Sequence, residues 1–185
     1  MVKLIGISGS LRKGSYNTAL LNAAIARVAD GVTLTAGTIA GIPLYDGDME
    51  ATHGIPAPVE TLKDLIRSAD GVILFTPEYN NSIPGVFKNA IDWLSRPASD
   101  IPTIFGGRPF AIAGTSPGNF GTQLSQNAWL TVLYTMGARV WSGKRLIVPR
   151  AGEVFDAEGH LTDEAISKQL SAFVSGFADF AGSNR

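Results

Sequence analysis

The sequence contains no cysteine among its 185 residues. This absence excludes disulfide bonds, thiolate catalysis and cysteine metal sites. Histidine is scarce as well, because His53 and His160 are the only two in the chain. They stand far apart and lack the spacing of metal ligands, so we expect no metal site.

Strong charge and long apolar runs are also missing. The chain has 15 Lys and Arg against 16 Asp and Glu, a formal net charge of −1. Such a balance gives no sign of the basic patch that nucleic-acid-binding proteins carry. Neither a bilayer-spanning run nor the layout of a signal peptide is found, so we expect a cytoplasmic protein. The hydrophobic content of 45% is typical of a globular protein, and we predict one domain over residues 1–185.

Apolar, β-branched runs alternate with helical periodicities, as in βαβ units around a parallel sheet. The pattern predicts an α/β fold, a doubly wound three-layer sandwich with a five-stranded parallel sheet. The segment 39–56, rich in glycine, proline and aspartate, is predicted to be a long surface loop. We predict strands near 3–8, 32–38, 71–76, 109–115 and 144–148, and helices near 17–30, 57–69, 85–95, 121–136 and 162–182.

The segment 8–17 joins the first predicted strand to the first helix through a polar, glycine-containing loop. This order aims backbone N–H groups and the positive end of a helix dipole at one point, where an anion is stabilised. Ser10, Ser15 and Asn17 add side-chain donors, and Arg12 adds a permanent positive charge. The segment therefore predicts a site for a phosphate group on a larger ligand.

Two common phosphate motifs do not match this segment. The nucleoside-triphosphate loop needs Lys and then Ser or Thr after its second glycine, whereas Ser15 and Tyr16 follow Gly14. The dinucleotide fingerprint Gly-x-Gly-x-x-Gly is absent after the first strand. The remaining interpretation is a site for one compact phosphate without a metal. The alternative is an ordinary strand-to-helix turn in which Asn17 is only a helix cap.

Two further loops follow strands three and four, where ligands of doubly wound sheets bind. The loop 76–85 is stiffened by Pro77 and Pro84, and the loop 115–121 is rich in glycine. A rigid loop with exposed N–H groups suits a flat heteroaromatic ring. One interpretation has Tyr79 covering the edge of that ring or a neighbouring subunit. The alternative has Tyr79 packed on the surface and Glu78 in solvent.

The predicted helix at 85–95, which Pro84 is well placed to begin, carries apolar side chains over much of its circumference. Phe87, Ile91, Trp93 and Leu94 exceed what one sheet-facing stripe requires. We expect the extra apolar face to form the interface of a symmetric oligomer. The alternative is that it packs under the loop 97–107.

Two segments of the chain, 9–17 and 77–96, carry a family resemblance. The sequence GSLRKGSYN at 9–17, followed by PEYNNSIPG at 77–85 and KNAIDWLSR at 88–96, resembles the NADPH-dependent FMN reductase family. Within that family it is most similar to bacterial chromate and quinone reductases and to azoreductases. The resemblance covers most of the chain, and it implies a flavodoxin-like fold that binds FMN without a covalent link.

The resemblance also implies which residues hold FMN and how the subunits assemble. Family members are usually homodimers or homotetramers, with helices like 85–95 and 121–136 at the interface. Residues 120–123 depart from the family's Gly-Gly-x-Arg pattern, because Gln123 stands where a basic residue is expected, so anion specificity does not carry over. The implied phosphate contacts are Ser10, Arg12, Ser15, Tyr16 and Asn17, and the implied ring contacts are Pro77, Glu78, Tyr79, Asn80, Ser82 and Ser116.

The implied activity is hydride transfer by a ping-pong mechanism. NADPH or NADH reduces the bound FMN, and an electron acceptor then takes the same place. Because the flavin carries the chemistry, we assign no catalytic side chain. Quinones, chromate, azo compounds and free flavin stay open as acceptors.

Two rival functions use the same fold. A flavodoxin-type electron carrier is usually strongly acidic, which a net charge of −1 disfavours. A phospho-receiver module would need an aspartate at the end of strand three, where Thr76 stands.

Overall fold

The chain alternates strands with helices, and the computed structural model describes this pattern for residues 1–183. The last two residues of the predicted domain lie outside the described residues. The strands are β1 (Val2–Ser8), β2 (Val32–Gly37), β3 (Gly71–Phe75), β4 (Pro109–Thr115), β5 (Arg139–Val140) and β6 (Leu146–Val148). The helices are α1 (Tyr16–Ile25), α2 (Gly47–His53), α3 (Ala57–Arg67), α4 (Gly85–Leu94), α5 (Ile101–Ile104), α6 (Gln123–Thr135), α7 (Ala151–Val154) and α8 (Glu164–Gly182), with a 3₁₀ turn at Ala98–Asp100 before α5.

All strands pair in parallel, in the order β2-β1-β3-β4-β5, with β6 also paired to β4. This is the strand order of a doubly wound flavodoxin-like sheet, and it confirms the predicted fold class. The strand order reverses between β1 and β3. Ligands of such sheets bind outside the carboxyl ends of these strands.

The fifth position of the sheet is divided between two short strands, so the sheet has six strands where five were predicted. Val140 pairs with Phe110 and Leu146 pairs with Ala113, while Trp141–Arg145 leave the sheet between them. The strand predicted at 144–148 corresponds to β6. The two-residue β5 was missed because so short a strand has no periodicity to detect.

The sheet is covered on both faces, which gives the predicted three layers. One apolar cluster joins the sheet to α1 and α8, and it includes Leu21, Phe173 and Phe177. The other joins the sheet to α3, α4 and α6, and it includes Phe87 and Trp129. Strands β3 and β4 are buried along their whole length, as expected of central strands. Within residues 1–183 no helix combines the length and the apolar character needed to cross a bilayer.

The segment 39–56 is not a loop throughout, because it contains α2. Its Asp46 caps that helix by accepting a hydrogen bond from the amide of Asp48 (2.9 Å). A short polar helix lacks the apolar stripe from which helices were predicted.

The extra apolar face of α4 is covered within the same chain. Trp93 and Leu94 are buried, and the Trp93 indole N–H donates to the carbonyl of Pro43 (2.9 Å). Tyr45 meets the Trp93 ring edge-on, with centroids 5.0 Å apart. The premise for an interface on this face of α4 was therefore wrong, since the segment 43–45 takes the place assigned to a second subunit. Pro84 does begin α4 as predicted, at its N-cap.

Candidate functional site

A cavity of about 350 Å³ lies at the carboxyl ends of β1, β3 and β4. Its volume falls in the range of roughly 300–1,000 Å³ that is typical of small-molecule and cofactor sites. Every residue predicted to hold the cofactor lines it except Asn80 and Ser82. The lining consists of Ser10, Arg12, Ser15, Tyr16, Asn17, Pro77, Glu78, Tyr79, Thr115, Ser116 and Pro117. Thr115 and Pro117 were not predicted individually, although both stand in the loop that follows β4.

The first wall of the cavity is the loop between β1 and α1. The Ser15 hydroxyl caps α1 by accepting a hydrogen bond from the amide of Thr18 (3.4 Å), so the cap is Ser15 and not Asn17. The amide of Ser15 donates to the Arg12 carbonyl (3.1 Å), and the amide of Arg12 donates to Ser10 Oγ (3.3 Å). These bonds fold the loop back over the N-terminus of α1, where unpaired amides favour an anion.

Arg12 lies on the open side of this loop. Its guanidinium carbon is 5.5 Å from the centroid of the Tyr16 ring, a distance suited to a cation–π contact. Tyr16 in turn packs against Phe155, with ring centroids 5.9 Å apart. An exposed arginine resting on a supported ring keeps its donors available to a ligand.

Asn17 ties the first loop to the end of β4. Its side-chain amide donates to the Thr115 carbonyl (2.9 Å), and its Oδ1 accepts from the Thr115 amide (3.0 Å). Both residues are buried. Asn17 therefore uses both ends of its side chain to hold two walls of the cavity together.

Glu78 ties the second loop to α6. Its Oε2 accepts hydrogen bonds from the amides of Leu124 (2.8 Å) and Ser125 (3.0 Å), in the first turn of that helix. Thr122, at the start of α6, makes no side-chain capping bond to any residue between 1 and 183. Glu78 therefore caps α6 from another loop, and its predicted contact with the ring stays a prediction.

The residues 79–82 form a tight turn at the rim. Tyr79 and Ser82 exchange two backbone hydrogen bonds (3.1 and 3.0 Å). Asn80 and Asn81 between them have φ angles of 50° and 61°, as a type I′ turn requires. This turn carries Asn80 and Ser82 out of the cavity lining and leaves Tyr79 exposed beside it.

The third wall is the loop 115–121. The Ser116 hydroxyl donates to the Gly121 carbonyl (2.6 Å), and the Ala151 amide donates to the Ser116 carbonyl (3.0 Å). Gly121 has a φ of 60°, and a Cβ there would lie 2.5 Å from the Ile147 side chain. Thr115 Oγ1 is buried and has no hydrogen-bond partner among residues 1–183. Gln123 is the exposed first residue of α6.

A second cavity of about 360 Å³ adjoins the first and shares Arg12, Ser15 and Tyr16 with it. Asp156 and Glu158 lie on its far side, and with His160 they bring their potential ligand atoms within 4.8 Å of one another. Asp156 is already engaged, since it accepts from the His160 amide (2.7 Å), and this bond is the largest cause that lowers the pKa of its carboxyl. The group is a local turn at the surface, and we assign it no metal.

Comparison with known proteins gives consistent matches along the chain. Residues 2–153 match the family model described as NADPH-dependent FMN reductase. An NAD(P)H-dependent FMN reductase of Pseudomonas aeruginosa is 43% identical over 175 residues, 92% of each chain. A quinone reductase of Escherichia coli is 38% identical, with 93% of each chain covered. Among solved structures, the flavoenzyme NAD(P)H:(acceptor) oxidoreductase FerB from Paracoccus denitrificans superposes with a TM-score of 0.85 at 36% identity, over 98% of this chain and 97% of that one.

Proposed function

The chain belongs to the NADPH-dependent FMN reductase family, and on that basis we propose that it transfers hydride from a nicotinamide donor, through bound FMN, to quinones. FMN is the family's cofactor. Quinones are named as the acceptors of its Escherichia coli relative, which is 38% identical. The chemistry of the cavity at the carboxyl ends of β1, β3 and β4 supports this assignment.

The residues of the cavity fit FMN at both ends. At one end Ser10, Arg12, Ser15 and the N-terminus of α1 offer hydroxyl, guanidinium and amide donors for a single phosphate ester. At the other end Pro77 and Tyr79 offer apolar and aromatic surface for a flat ring. The buried, unpaired Oγ1 of Thr115 adds a polar atom in the wall between them. This pairing of an anion site with a ring site is the observation that carries the proposal.

Bound FMN would supply the ring that accepts and passes on the hydride, so the side chains need only bind and orient it. Among the described lining residues, Glu78 is the only carboxylate, and it is engaged by the first turn of α6. We therefore assign no side chain to proton transfer. The cavity's open side would receive the nicotinamide donor and the acceptor in turn.

Neutral quinones suit this chain better than chromate. The exposed position 123 at the start of α6 carries glutamine, without the positive charge that would attract an oxyanion. We expect quinone-dependent NADPH oxidation to exceed chromate-dependent oxidation. A reversed order would overturn the choice of acceptor and leave the FMN assignment intact.

We also propose that the protein is a homo-oligomer that associates through α6. Leu124, Leu130 and Tyr134 are exposed on this helix, and Phe120 is exposed just before it. Several large apolar side chains exposed on one helix are typical of an interaction site. Light scattering at micromolar concentration is expected to report a dimer or a tetramer, and a monomer would refute the proposal.

Arg12→Ala tests the phosphate end of the site. A hydrogen bond to a charged group contributes about 1.5–3 kcal/mol, so FMN affinity should fall about ten- to hundredfold. Exposure of Arg12 favours the lower figure. FMN is titrated into the apo-protein, and reduction by NADPH is followed by stopped flow at saturating FMN. Lys13→Ala is the matched control, because Lys13 is the adjacent exposed cation and lines the second cavity without lining the first.

The expected result is weaker FMN binding by Arg12→Ala alone, with flavin reduction nearly unchanged. Unchanged affinity together with tenfold slower reduction would place Arg12 at the nicotinamide or acceptor site. If acid-released cofactor from the wild-type protein were mainly FAD, or if no flavin bound, the proposed function itself would be wrong.

A further inference from the structure

The interruption of the fifth strand creates a separate small cavity. Between Val140 and Leu146 five residues leave the sheet, while only Ala111 and Ile112 of β4 lie opposite them. A cavity of about 140 Å³ lies between this segment and α6. Its described lining shares no residue with the cofactor cavity or the cavity beside it.

Apolar side chains form most of the wall of this cavity. Ile112 contributes from β4, Leu130 from α6, and Val140 and Trp141 from the fifth strand position. Trp141 is held in place by the rings of Phe173 and Phe177, whose centroids lie 5.3 and 5.8 Å from its own. Two aromatic rings therefore support the Trp141 side of the cavity.

Four polar residues also line the cavity: Ser142, Lys144 and Arg145 are exposed, whereas Gln126 has a relative exposure of only 1%. Its Nε2 donates to the Leu146 carbonyl (2.9 Å) and to Thr122 Oγ1 (3.1 Å). Because a carbonyl can only accept, these bonds fix which end of the amide is nitrogen. Oε1 is left buried and without a hydrogen-bond partner in the described part of the chain.

A buried acceptor without a donor is costly, and such groups in native proteins usually have a partner. The volume indicates the size of that partner, since an apolar cavity of about 150 Å³ accommodates one benzene molecule. We propose that this cavity binds a single-ring phenol, with the ring against Ile112, Leu130 and Trp141 and the hydroxyl donating to Gln126 Oε1. Phenols here include hydroquinones, which carry the same donor on the same ring.

Phenol itself is the probe for this site, titrated into the FMN-loaded protein. The indole N–H signal of Trp141, identified by its loss in Trp141→Phe, is followed by ¹⁵N–¹H correlation spectra. The other two tryptophans serve as internal references, because Trp93 and Trp129 donate their indole protons to Pro43 and Thr76. We expect a saturable shift of the Trp141 signal while the visible spectrum of the flavin stays unchanged.

Toluene tests the role of the hydroxyl, because it has a similar ring and no donor. We expect toluene to bind about tenfold more weakly than phenol, since Gln126 Oε1 then stays unpaired. Gln126→Met removes the acceptor, and it should bring the two affinities close together.

Leu130→Trp tests the location and is expected to abolish phenol binding by filling the cavity. Leu124→Trp is its matched control, because Leu124 is similarly exposed on α6 and lies outside the described lining. An effect on association through α6 would be common to both variants, whereas loss of phenol binding should appear only in Leu130→Trp.

Three outcomes would overturn the proposal. They are no saturable shift of the Trp141 signal, equal affinities of the wild-type protein for phenol and toluene, and equal loss of binding in Leu130→Trp and Leu124→Trp. None of these measurements depends on turnover, so the proposed reductase activity stands or fails separately.

Discussion

Replacing Glu78 with alanine is expected to weaken both the fold and the cofactor site, because this residue joins them. Its carboxylate accepts the amides of Leu124 and Ser125 at the start of α6, at 2.8 and 3.0 Å. The same residue lines the cavity at the end of β3. Without the carboxylate, both amides lose their acceptor and the loop loses its attachment to the helix.

The expected magnitude follows from two contributions. Loss of a side-chain cap costs about 0.5–2 kcal/mol, and loss of a negative charge at a helix N-terminus costs about 0.3–1 kcal/mol. Because Glu78 is only partly exposed, we expect the free energy of unfolding to fall by about 1–3 kcal/mol. Glu78→Gln keeps an acceptor oxygen and loses only the charge, so its loss should be about a third as large.

Urea unfolding of the FMN-free protein measures the first effect, and FMN titration measures the second. Asp64→Ala is a suitable control, because its side chain is 74% exposed and its ion pair with Arg67 lies on the surface. If Glu78 acts by capping α6, stability and FMN affinity should both be lowest in Glu78→Ala, intermediate in Glu78→Gln and highest in the wild-type protein. A loss of FMN affinity with unchanged stability would refute this account, since Glu78 would then bind the ring directly.

Three further perturbations have expected outcomes. Asn17→Ala removes the partner of the buried amide and carbonyl of Thr115, and at about 1–3 kcal/mol for each group it should lower the urea-derived stability by roughly 2–6 kcal/mol. Arg150 has a φ of 48°, where a non-glycine residue costs about 1–2 kcal/mol, so Arg150→Gly should raise the melting temperature by a few degrees and Arg150→Ala should not. The hydrogen bond from Lys63 is the largest cause that lowers the pKa of Asp100 below its ordinary value of 3.8, so this carboxylate stabilises the folded state above that value. Its contribution is lost as the pH falls further, and urea midpoints below about pH 4 should decline less steeply in Asp100→Asn.

The sequence was sufficient to predict the elements that position the site. Strands expected near 3–8, 71–76 and 109–115 are found at Val2–Ser8, Gly71–Phe75 and Pro109–Thr115. Each is an apolar run, and the last two are covered on both faces, which gives the strongest local signal for a strand in a parallel sheet. Parallel strands bring their carboxyl ends to one edge of the sheet. The loops that follow these three strands could therefore be placed together at that edge from the sequence alone.

Packing around α4 was not predictable in the same way. The apolar content of Trp93 and Leu94 indicated correctly that this face is covered. The segment 43–45 covers Trp93. The Pro43 carbonyl accepts hydrogen bonds from the side chains of Trp93 and Asn89, which lie 50 and 46 positions further along the chain. Periodicity reports that a face is buried, and it carries no information on the partner.

The individual roles of the site residues were the least predictable, for the same reason. Residue type marked Asn17 as a ligand group, and the family resemblance marked Glu78 and Ser116. In the structure these side chains reach Thr115, the start of α6 and Gly121, and their contact with FMN stays a prediction. Two of these bonds join residues 98 and 46 positions apart, so no local pattern encodes them. Asn17 and Glu78 each fix one wall of the cavity against another element, whereas Ser116 closes the loop 115–121 on itself. We expect the groups that meet a ligand to be the amides of α1, the hydroxyls of Ser10, Ser15 and Thr115, the Arg12 guanidinium and the apolar rim. Arg12→Ala should therefore change affinity, whereas Asn17→Ala and Glu78→Ala should change affinity and stability together.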